Sequence, residues 1–335
     1  MNETQSRSVA DFQDWARRPP LRQQFVHHPY RTYHDIWTGV AQLARRSDAA
    51  VQVCRYGTSV RGEPLWSVTV EQPAANPEAT ILLIANLHAM ENIGVAAALA
   101  VLEQACDGAS NWPRRRLVVV PVANPDGFIE MEESLAAGRA RFLRGNARGV
   151  DLNRNFEVHW SGRCNRLLRR FFSPGPHPLS EPECRALDEL AAQERPDYVV
   201  SLHAFGNRIF IPYLGSPEPP PDLEGIRSLA LAMTERQPHT RYRVLRLAEK
   251  TRLIKAHGSE LDHFYVRYGS WTFLFEMGSG PDLGKPHLLR HPYRWYTPSP
   301  ERVERDVANL IPALNHLASA PPLPEVRRAA APRPA

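Results

Sequence analysis

The sequence predicts an α/β fold: an α/β/α sandwich with a central, twisted, mixed but mostly parallel sheet. Three observations support this prediction. Four short segments are almost continuously apolar, as strands covered on both faces of a sheet are. Segments with the composition or the capping signals of helices lie between them. Strands and helices that alternate along one chain are typical of α/β proteins.

The four apolar segments give the predicted strands. Each is rich in β-branched, aliphatic or aromatic residues and is short enough to be a strand rather than a helix. In chain order they are TILLIANLH (80–88), RLVVVPVAN (116–124), DYVVSLH (197–203) and WTFLFEMG (271–278).

Three segments give the predicted helices. The first is NIGVAAALAVLEQAC (92–106), which consists largely of helix-forming residues. Ser180 and Glu183 have the spacing of a capping box before CRALDELAAQ. Ser299, followed by proline and then Glu301, marks the start of the last helix, ERVERDVANLIPALNHLA.

Composition and charge bound the class of protein. The 335 residues, 43% of them hydrophobic, are enough for one large domain with a substantial core. We expect an N-terminal extension over 1–29, the domain over 30–317 and a disordered Pro/Ala-rich tail over 318–335. The net charge is +5, but the arginines are spread along the chain, so no nucleic-acid partner is expected.

Cysteine spacing and hydropathy lead to a prediction of location. The four cysteines show no CxxC or CxxxC spacing, so neither a zinc knuckle nor a redox pair is indicated. We find no apolar stretch of signal-peptide length at the start and no run of 18 uncharged apolar residues. The sequence therefore predicts a cytoplasmic protein with reduced thiols and no membrane partner.

Candidate functional side chains follow the predicted strands. His88 and Glu91 come at and just after the end of the first strand, His203 ends the third and Glu276 lies near the end of the fourth. In open α/β sheets, functional groups gather beyond the carboxyl ends of the strands. Two histidines and two carboxylates are therefore expected to meet at one edge of the sheet.

This combination has the chemistry of a catalytic zinc site. Such a site uses three ligands from His and carboxylate groups, which His88, Glu91 and His203 supply, and Glu276 remains as a general base. The chain has a second HxxE pair, His257 and Glu260. We do not favour that pair as ligands, because KAHGSELDHF follows no strand and has the pattern of a loop entering a helix.

The middle of the chain resembles the zinc carboxypeptidases of the carboxypeptidase A and B type. The resemblance covers about residues 30–315 and depends on motifs that occur in order. They are GTSVRGEPLW (57–66), LHAMENIG (87–94), VANPDGF (122–128), RFLRGN (141–146), VDLNRNF (150–156), SLHAFGNRIFIPY (201–213) and FLFEMG (273–278). It implies one zinc ion per chain and an α/β/α catalytic domain over 30–317.

The resemblance also implies roles for individual residues. His88, Glu91 and His203 would bind zinc, and Glu276 would be the general base and later the proton donor. Arg144 would polarise the scissile carbonyl and hold the oxyanion. Two further residues, Asn153 and Arg154, would bind the terminal carboxylate of the substrate. Asp151 would orient the first zinc histidine.

The activity implied is hydrolysis of the C-terminal amide bond of a peptide or small peptide-like substrate with a free carboxylate. An alternative is a zinc amidase or deacylase acting on an N-acyl amino acid or a biosynthetic intermediate, since related deacylases share the His-Glu-His site. A third hypothesis, a non-enzymatic descendant, requires a damaged site, whereas all three ligands and the base are present.

Two departures from the family pattern bear on the substrate. Met90 stands where the family usually has an arginine, and the family's active-site tyrosine has no counterpart, because the corresponding positions are 253–255, LIK. The specificity pocket is expected near GSELD (258–262). If Glu260 points into that pocket, a basic C-terminal residue is favoured; otherwise Glu260 complements a helix dipole in solvent.

Overall fold

The computed structural model of the chain describes residues 30–47, 50–71, 77–107, 112, 114–139, 141–162, 169–250, 255–280 and 300–324. These residues form one mixed sheet with helices on both of its faces, which is the predicted fold class. None of the helices that the structure describes is long and apolar enough to cross a membrane.

The described residues contribute eight strands to the sheet. They are β1 (Ala50–Thr58), β2 (Pro64–Glu71), β3 (Ala79–Ala85), β4 (Arg115–Val120), β5 (Tyr198–Ala204), β6 (Arg208–Phe210), β7 (Arg243–Leu245) and β8 (Trp271–Met277). Their order is β1-β2-β4-β3-β5-β8-β6-β7. Four of the seven neighbouring pairs are parallel, and they include the continuous central run β4-β3-β5-β8. That central run consists of the four predicted strands.

The helices form two layers. They are α1 (Tyr33–Arg46), α2 (Ile93–Cys106), α3 (Pro125–Ala136), α4 (Arg169–Phe172), α5 (Pro182–Glu194), α6 (Leu223–Glu235), α7 (Leu247–Lys250), α8 (Glu260–Tyr268) and α9 (Pro300–Ala318). Helices α1, α2, α6 and α9 share one apolar core with the sheet, and α5 and α8 share another. Alternate residues of β3 divide between the two, Ile81 and Leu83 on one face and Leu82 and Ile84 on the other.

Several elements differ from the predictions. Strands β1 and β2 form an antiparallel hairpin that the search for continuous apolar runs misses, because β1 is only half-buried and β2 buries polar residues such as Ser67 and Thr69. The NPDGF motif starts helix α3, with Asn124 as its N-cap. Ser180 does not cap α5, since the cap position is Glu181 and the Ser180 hydroxyl instead donates to a Glu181 carboxylate oxygen, 2.8 Å away.

The start of the predicted tail is part of the domain. The buried guanidinium of Arg115 donates to the carbonyls of Ala318 and Ala320, at 2.7 and 2.8 Å. The backbone N–H of Leu323 donates to Asp197 at 3.0 Å, and the Leu323 side chain is buried. The boundary expected at 317 is therefore corrected to include residues 318–324. Residues 325–335 and the predicted extension over 1–29 lie outside the described residues.

This docked segment leads to a prediction about stability. We expect the free energy of unfolding of a chain that ends at 317 to be about 3–5 kcal/mol lower than that of a chain that ends at 324. The difference arises because Leu323 loses its apolar burial and the buried Arg115 loses two carbonyl acceptors. Urea denaturation of the two forms measures it, and equal midpoints would show that the segment contributes nothing.

The buried environment of Glu132 predicts that the stability of the fold depends on pH. Its Oε1 accepts from the backbone N–H of Tyr33 at 2.9 Å, which joins α3 to the start of α1. Burial raises the pKa of Glu132 to about 7, against the lowering effect of that hydrogen bond, and Asp35 and Glu133 raise it further. A carboxyl group with a raised pKa in the folded state stabilises the fold fully below its unfolded pKa, near 4.5, and the contribution is lost as pH rises through about 7.

We therefore expect the wild-type chain to lose stability relative to Glu132→Gln as pH rises from 5 to 8, since the amide keeps the acceptor oxygen and does not titrate. Thermal unfolding of both proteins across this range is the measurement. Two parallel stability profiles would contradict the prediction.

Three of the four cysteines lie in the described part of the chain. Cys106 and Cys184 are buried and Cys54 is partly exposed, and the reduced state of the thiols stays a prediction. Cys164 lies outside the described residues.

Candidate metal centre

The predicted site residues meet at the carboxyl ends of the central parallel strands. β5 lies between β3 and β8, so the loop after β3 is close to the ends of both neighbours. His203 on β5 and Glu276 on β8 are directly paired in the parallel register. Paired residues on adjacent strands project to the same face of a sheet, which brings both side chains toward the loop that carries His88 and Glu91.

Asn86 fixes the shape of that loop. It is fully buried and has a φ of 59°, a left-handed conformation that asparagine tolerates better than most residues. Its amide donates to the carbonyls of His88 and Ala89 at 3.2 and 3.4 Å, and to the side chain of Asn92 at 3.1 Å. These contacts turn the chain so that His88 and Glu91 face the same point.

Gly94 lets the following helix approach the strand that carries His203. A Cβ at position 94 would lie 2.9 Å from the carbonyl oxygen of Leu202, which is closer than real Cβ atoms come. A larger residue would therefore push the first turn of α2, with the loop before it, away from β5. The close packing of α2 against β5 therefore explains the glycine in LHAMENIG.

Three side chains form a compact donor cluster. Nδ1 of His88 lies 2.9 Å from Glu91 Oε1, Nδ1 of His203 lies 2.9 Å from Glu91 Oε2, and the two Nδ1 atoms are 3.0 Å apart. All three residues are buried. Donors that share a tetrahedral zinc ion through bonds of 2.0–2.1 Å are about 3.3 Å apart, so the set fits one such ion.

Asp151 connects the first histidine to Arg144. Its Oδ1 is 3.0 Å from His88 Nε2, and its Oδ2 accepts from Arg144 Nε at 2.9 Å. The Arg144 Nη1 group also donates to Glu91 Oε1 at 3.4 Å, and its guanidinium lies over the ring of Phe172, 5.2 Å from the centroid. Arg144 is therefore held rigidly beside the donor cluster.

The charge around the cluster also fits a divalent cation. Four carboxylates, those of Glu91, Asp151, Glu260 and Glu276, lie near two guanidinium groups among the described residues of the site, Arg144 and Arg154. With all four carboxylates ionised and both histidines neutral, two negative charges are left over, which a Zn²⁺ ion would neutralise.

The pKa shifts follow from burial and from these charges. Burial raises the pKa of Asp151, but the charges of Arg144 and His88 outweigh it and hold that pKa well below the usual range. Burial and then the charge of Glu91 raise the pKa of Glu276 to about 7, although His203 and Arg144 oppose the rise. A carboxylate with a pKa near neutrality can both accept and return a proton.

Asn153 and Arg154 border the cluster, and Glu260 has a different environment from the one expected. Asn153 is buried, and its Oδ1 accepts from the Glu260 backbone N–H at 3.2 Å. Arg154 is within electrostatic reach of Asp151, Glu260 and Glu276. The sequence left Glu260 as either a pocket residue or a solvated residue in the first turn of a helix. Its side chain is instead fully buried, with Oε1 3.0 Å from His203 Nε2.

The second HxxE pair is not a metal site. Nδ1 of His257 is 3.1 Å from the carbonyl oxygen of His159, whereas Glu260 contacts His203. The one group of three or more potential ligands found among the described residues is His88, Glu91 and His203.

Three residues that organise the site were not singled out from the sequence. Asn86 shapes the metal-ligand loop, and Ser201 Oγ lies 3.0 Å from His203 Nε2. The Asn124 amide donates to the carbonyls of Leu87 and Gly145, at 3.3 and 3.1 Å, which joins the loop of His88 to the loop of Arg144. The signal for Asn124 and Asn86 was their place after a buried strand, where an amide is costly unless it is hydrogen-bonded.

The fold and the site define a class of protein. A buried cluster of two histidines and one glutamate, with a further carboxylate beside it, matches the donor set of catalytic zinc sites. A family model for zinc carboxypeptidases matches residues 38–301. The chain belongs to the zinc carboxypeptidase family, whose members depend on zinc, and its His-Glu-His cluster could hold such an ion.

Individual relatives are distant. Carboxypeptidase O of Bos taurus is 26% identical over 206 residues, which are 56% of this chain and 54% of that protein, so the chain spans about half the length of this curated relative.

Solved structures share the fold. Bovine thrombin-activatable fibrinolysis inhibitor, in complex with tick carboxypeptidase inhibitor, superposes with a TM-score of 0.72 at 22% identity, over 87% of this chain and 96% of that one. Murein-tripeptide amidase from Escherichia coli O157 superposes with a TM-score of 0.51 at 24% identity, over 80% of this chain and 92% of that one.

Proposed function

We propose that this chain is a zinc-dependent carboxypeptidase that hydrolyses the C-terminal amide bond of a peptide or small peptide-like substrate. The observation that carries the proposal is the cluster of His88, Glu91 and His203, with Glu276 in register beside it. A zinc ion held by those three residues supplies Lewis acidity, which polarises a carbonyl group and lowers the pKa of a water molecule.

Glu276 is the proposed general base. It takes a proton from the attacking water and later gives that proton to the nitrogen of the leaving amine, so that the carboxylate is regenerated. Its raised pKa of about 7 suits both transfers near neutral pH.

Arg144 is the proposed electrostatic partner of the scissile carbonyl. Its guanidinium is fixed by Asp151 and Glu91, and the Arg144 side chain is only 13% exposed. A fixed positive charge stabilises the negative charge that develops on the carbonyl oxygen during attack, and it requires little reorganisation to do so.

Asn153 and Arg154 are the proposed binding groups for the terminal carboxylate of the substrate. Arg154 offers a guanidinium fork, which matches a carboxylate with two parallel hydrogen bonds. Asn153 is held by its contact with the Glu260 backbone, so its amide is already oriented before substrate binds. This pair would restrict cleavage to the last residue of the chain.

The test uses zinc-loaded protein and matched peptides that differ only at the C-terminus. We expect release of one C-terminal residue from the free-carboxylate peptide, detected by mass spectrometry. The C-terminally amidated peptide should be cleaved at least about a hundredfold more slowly, because the carboxylate contact is lost. Equal cleavage of both peptides would contradict the exopeptidase assignment.

Met90 supports a second candidate, an amidase or deacylase. It is fully buried in an apolar cluster with Met131, Leu135, Phe142 and Leu143, so this position offers no charged contact to a long peptide. The same assay, extended to N-acyl amino acids and a murein tripeptide, distinguishes the two. Cleavage of these compounds without cleavage of ordinary peptides would favour the second candidate.

The predicted cytoplasmic location stays a prediction. Fractionation of cells that express the chain, followed by immunodetection, would test it.

A further inference from the structure

Glu260 is a buried carboxylate that the proposed mechanism does not use. It is the first residue of α8, its side chain is fully buried, and its Oε1 lies 3.0 Å from Nε2 of His203. Ser201 Oγ is at the same distance from that nitrogen. The ring of His203 is therefore held at the nitrogen that faces away from the donor cluster.

The two ring nitrogens of His203 have different roles. Nδ1 lies in the donor cluster, 2.9 Å from Glu91 Oε2, and must be unprotonated to bind a cation. The proton of the neutral ring then belongs on Nε2, where it can be donated to Glu260. A carboxylate at this position fixes the tautomer and the orientation of a ligand histidine and makes Nδ1 a better donor.

The first histidine is held in the same way. Nε2 of His88 lies 3.0 Å from Asp151 Oδ1, and Nδ1 faces Glu91. Asp151 and Glu260 thus occupy equivalent positions behind the two histidines, although they come from unrelated parts of the chain. The site has a carboxylate behind each imidazole.

The backbone around Glu260 is built to bring it to this place. Gly258 has a φ of 68°, and a Cβ there would lie 2.4 Å from the carbonyl oxygen of Arg154, so only glycine allows the loop to approach so closely. Ser259 caps α8 by accepting from the Asp262 N–H. The Glu260 N–H donates to Asn153 Oδ1, which links the second histidine to the proposed carboxylate-binding pair.

A role as a cation acceptor in a substrate pocket fits less well. Oε2 of Glu260 has no hydrogen-bond partner among the described residues, but the residue is fully buried, and Arg154 is within electrostatic reach of it. A cationic substrate group would have to reach a fully buried carboxylate that is already within electrostatic reach of a guanidinium.

We propose that Glu260 is a positioning residue for the metal centre, which presents Nδ1 of His203 to the cation. The inference depends on the zinc centre of the proposed function. It assigns to Glu260 the part that Asp151 has for His88, in place of the specificity role suggested by the sequence.

The test measures zinc affinity, by competition with a chromophoric chelator, in the wild type and in Glu260→Ala and Glu260→Gln. We expect Glu260→Ala to weaken zinc binding about 10- to 100-fold, the usual effect of losing such a partner. Glu260→Gln should recover part of this loss, because its amide oxygen still accepts from Nε2. The absorption spectrum of the cobalt-loaded proteins should change in the same order, since it reports ligand geometry.

Asp188→Ala is the matched control. Asp188 Oδ1 lies 2.8 Å from Nε2 of His263, a buried histidine on the same helix but outside the donor cluster. This variant loses a buried carboxylate behind a histidine and should keep wild-type zinc affinity. If Glu260 had only a structural role, Glu260→Ala and Asp188→Ala would change zinc affinity equally.

Wild-type zinc affinity in Glu260→Ala would overturn the proposal. So would an unchanged affinity accompanied by an altered preference between C-terminal Arg and Phe, which would return Glu260 to a specificity role. If Glu260→Ala does not fold, a Glu260→Gln variant with unaltered affinity and cobalt spectrum overturns it. Wild-type protein that binds zinc but hydrolyses nothing contradicts the proposed function and leaves this affinity test intact.

Discussion

Replacing Glu276 by glutamine is expected to lower kcat by about 10³- to 10⁴-fold while zinc content stays at the wild-type level. Glutamine has nearly the same shape but cannot accept the proton of the attacking water, and general base catalysis contributes factors up to this size. Because Glu276 is not one of the three clustered ligands, the variant should still bind the metal. Steady-state kinetics and metal analysis of the same preparation are the measurements.

The matched control for this variant is Glu132→Gln. Glu132 is also a glutamate whose pKa burial raises to about 7, but its carboxylate contacts the N–H of Tyr33 and lies outside the donor cluster. The control should keep wild-type kcat. Retention of most activity in Glu276→Gln, with zinc bound, would show that another group takes the proton.

The central sheet could be predicted because each of its strands is buried on both faces. Burial on both faces requires a continuous apolar run, and such runs are visible in one sequence. The hairpin of β1 and β2 was missed, since an edge strand needs no such run and β2 buries Ser67 and Thr69. Likewise, residues 318–324 contain only one large apolar residue, Leu323, and their docking depends on hydrogen bonds to Arg115 and Asp197 that no local pattern shows.

The donor cluster could be predicted because metal chemistry restricts residue types and because strand ends converge. The sequence could not show which nitrogen of each histidine lies in the donor cluster, nor what contacts the other nitrogen. Those features depend on side chains far apart in the chain, such as Ser201 beside His203 and Glu260 at the start of α8. Asp151 was therefore expected beside His88 from a motif, whereas the contact of Glu260 with His203 is visible only in the three-dimensional structure.

The second large effect is expected from His88→Asn. Structural zinc sites bind the ion with about 10–16 kcal/mol, so an even share for one of the three proposed ligands is roughly 3–5 kcal/mol. Loss of that share weakens zinc binding roughly a hundred- to several-thousandfold. The loss of zinc affinity should exceed that of any change at Glu260, because His88→Asn removes a proposed ligand, whereas a change at Glu260 removes only a group that positions one. Chelator competition gives the affinity, and peptide hydrolysis at limiting zinc should fall with it.

His263→Asn separates this effect from general damage. Both histidines are buried and both contact a carboxylate through Nε2, Asp151 for His88 and Asp188 for His263. Both substitutions therefore lower stability, but only His88 has its Nδ1 in the donor cluster. We expect His263→Asn to keep full zinc affinity at temperatures where it is folded. If the two variants lose zinc affinity equally, His88 is not a ligand and the metal centre must be reassigned.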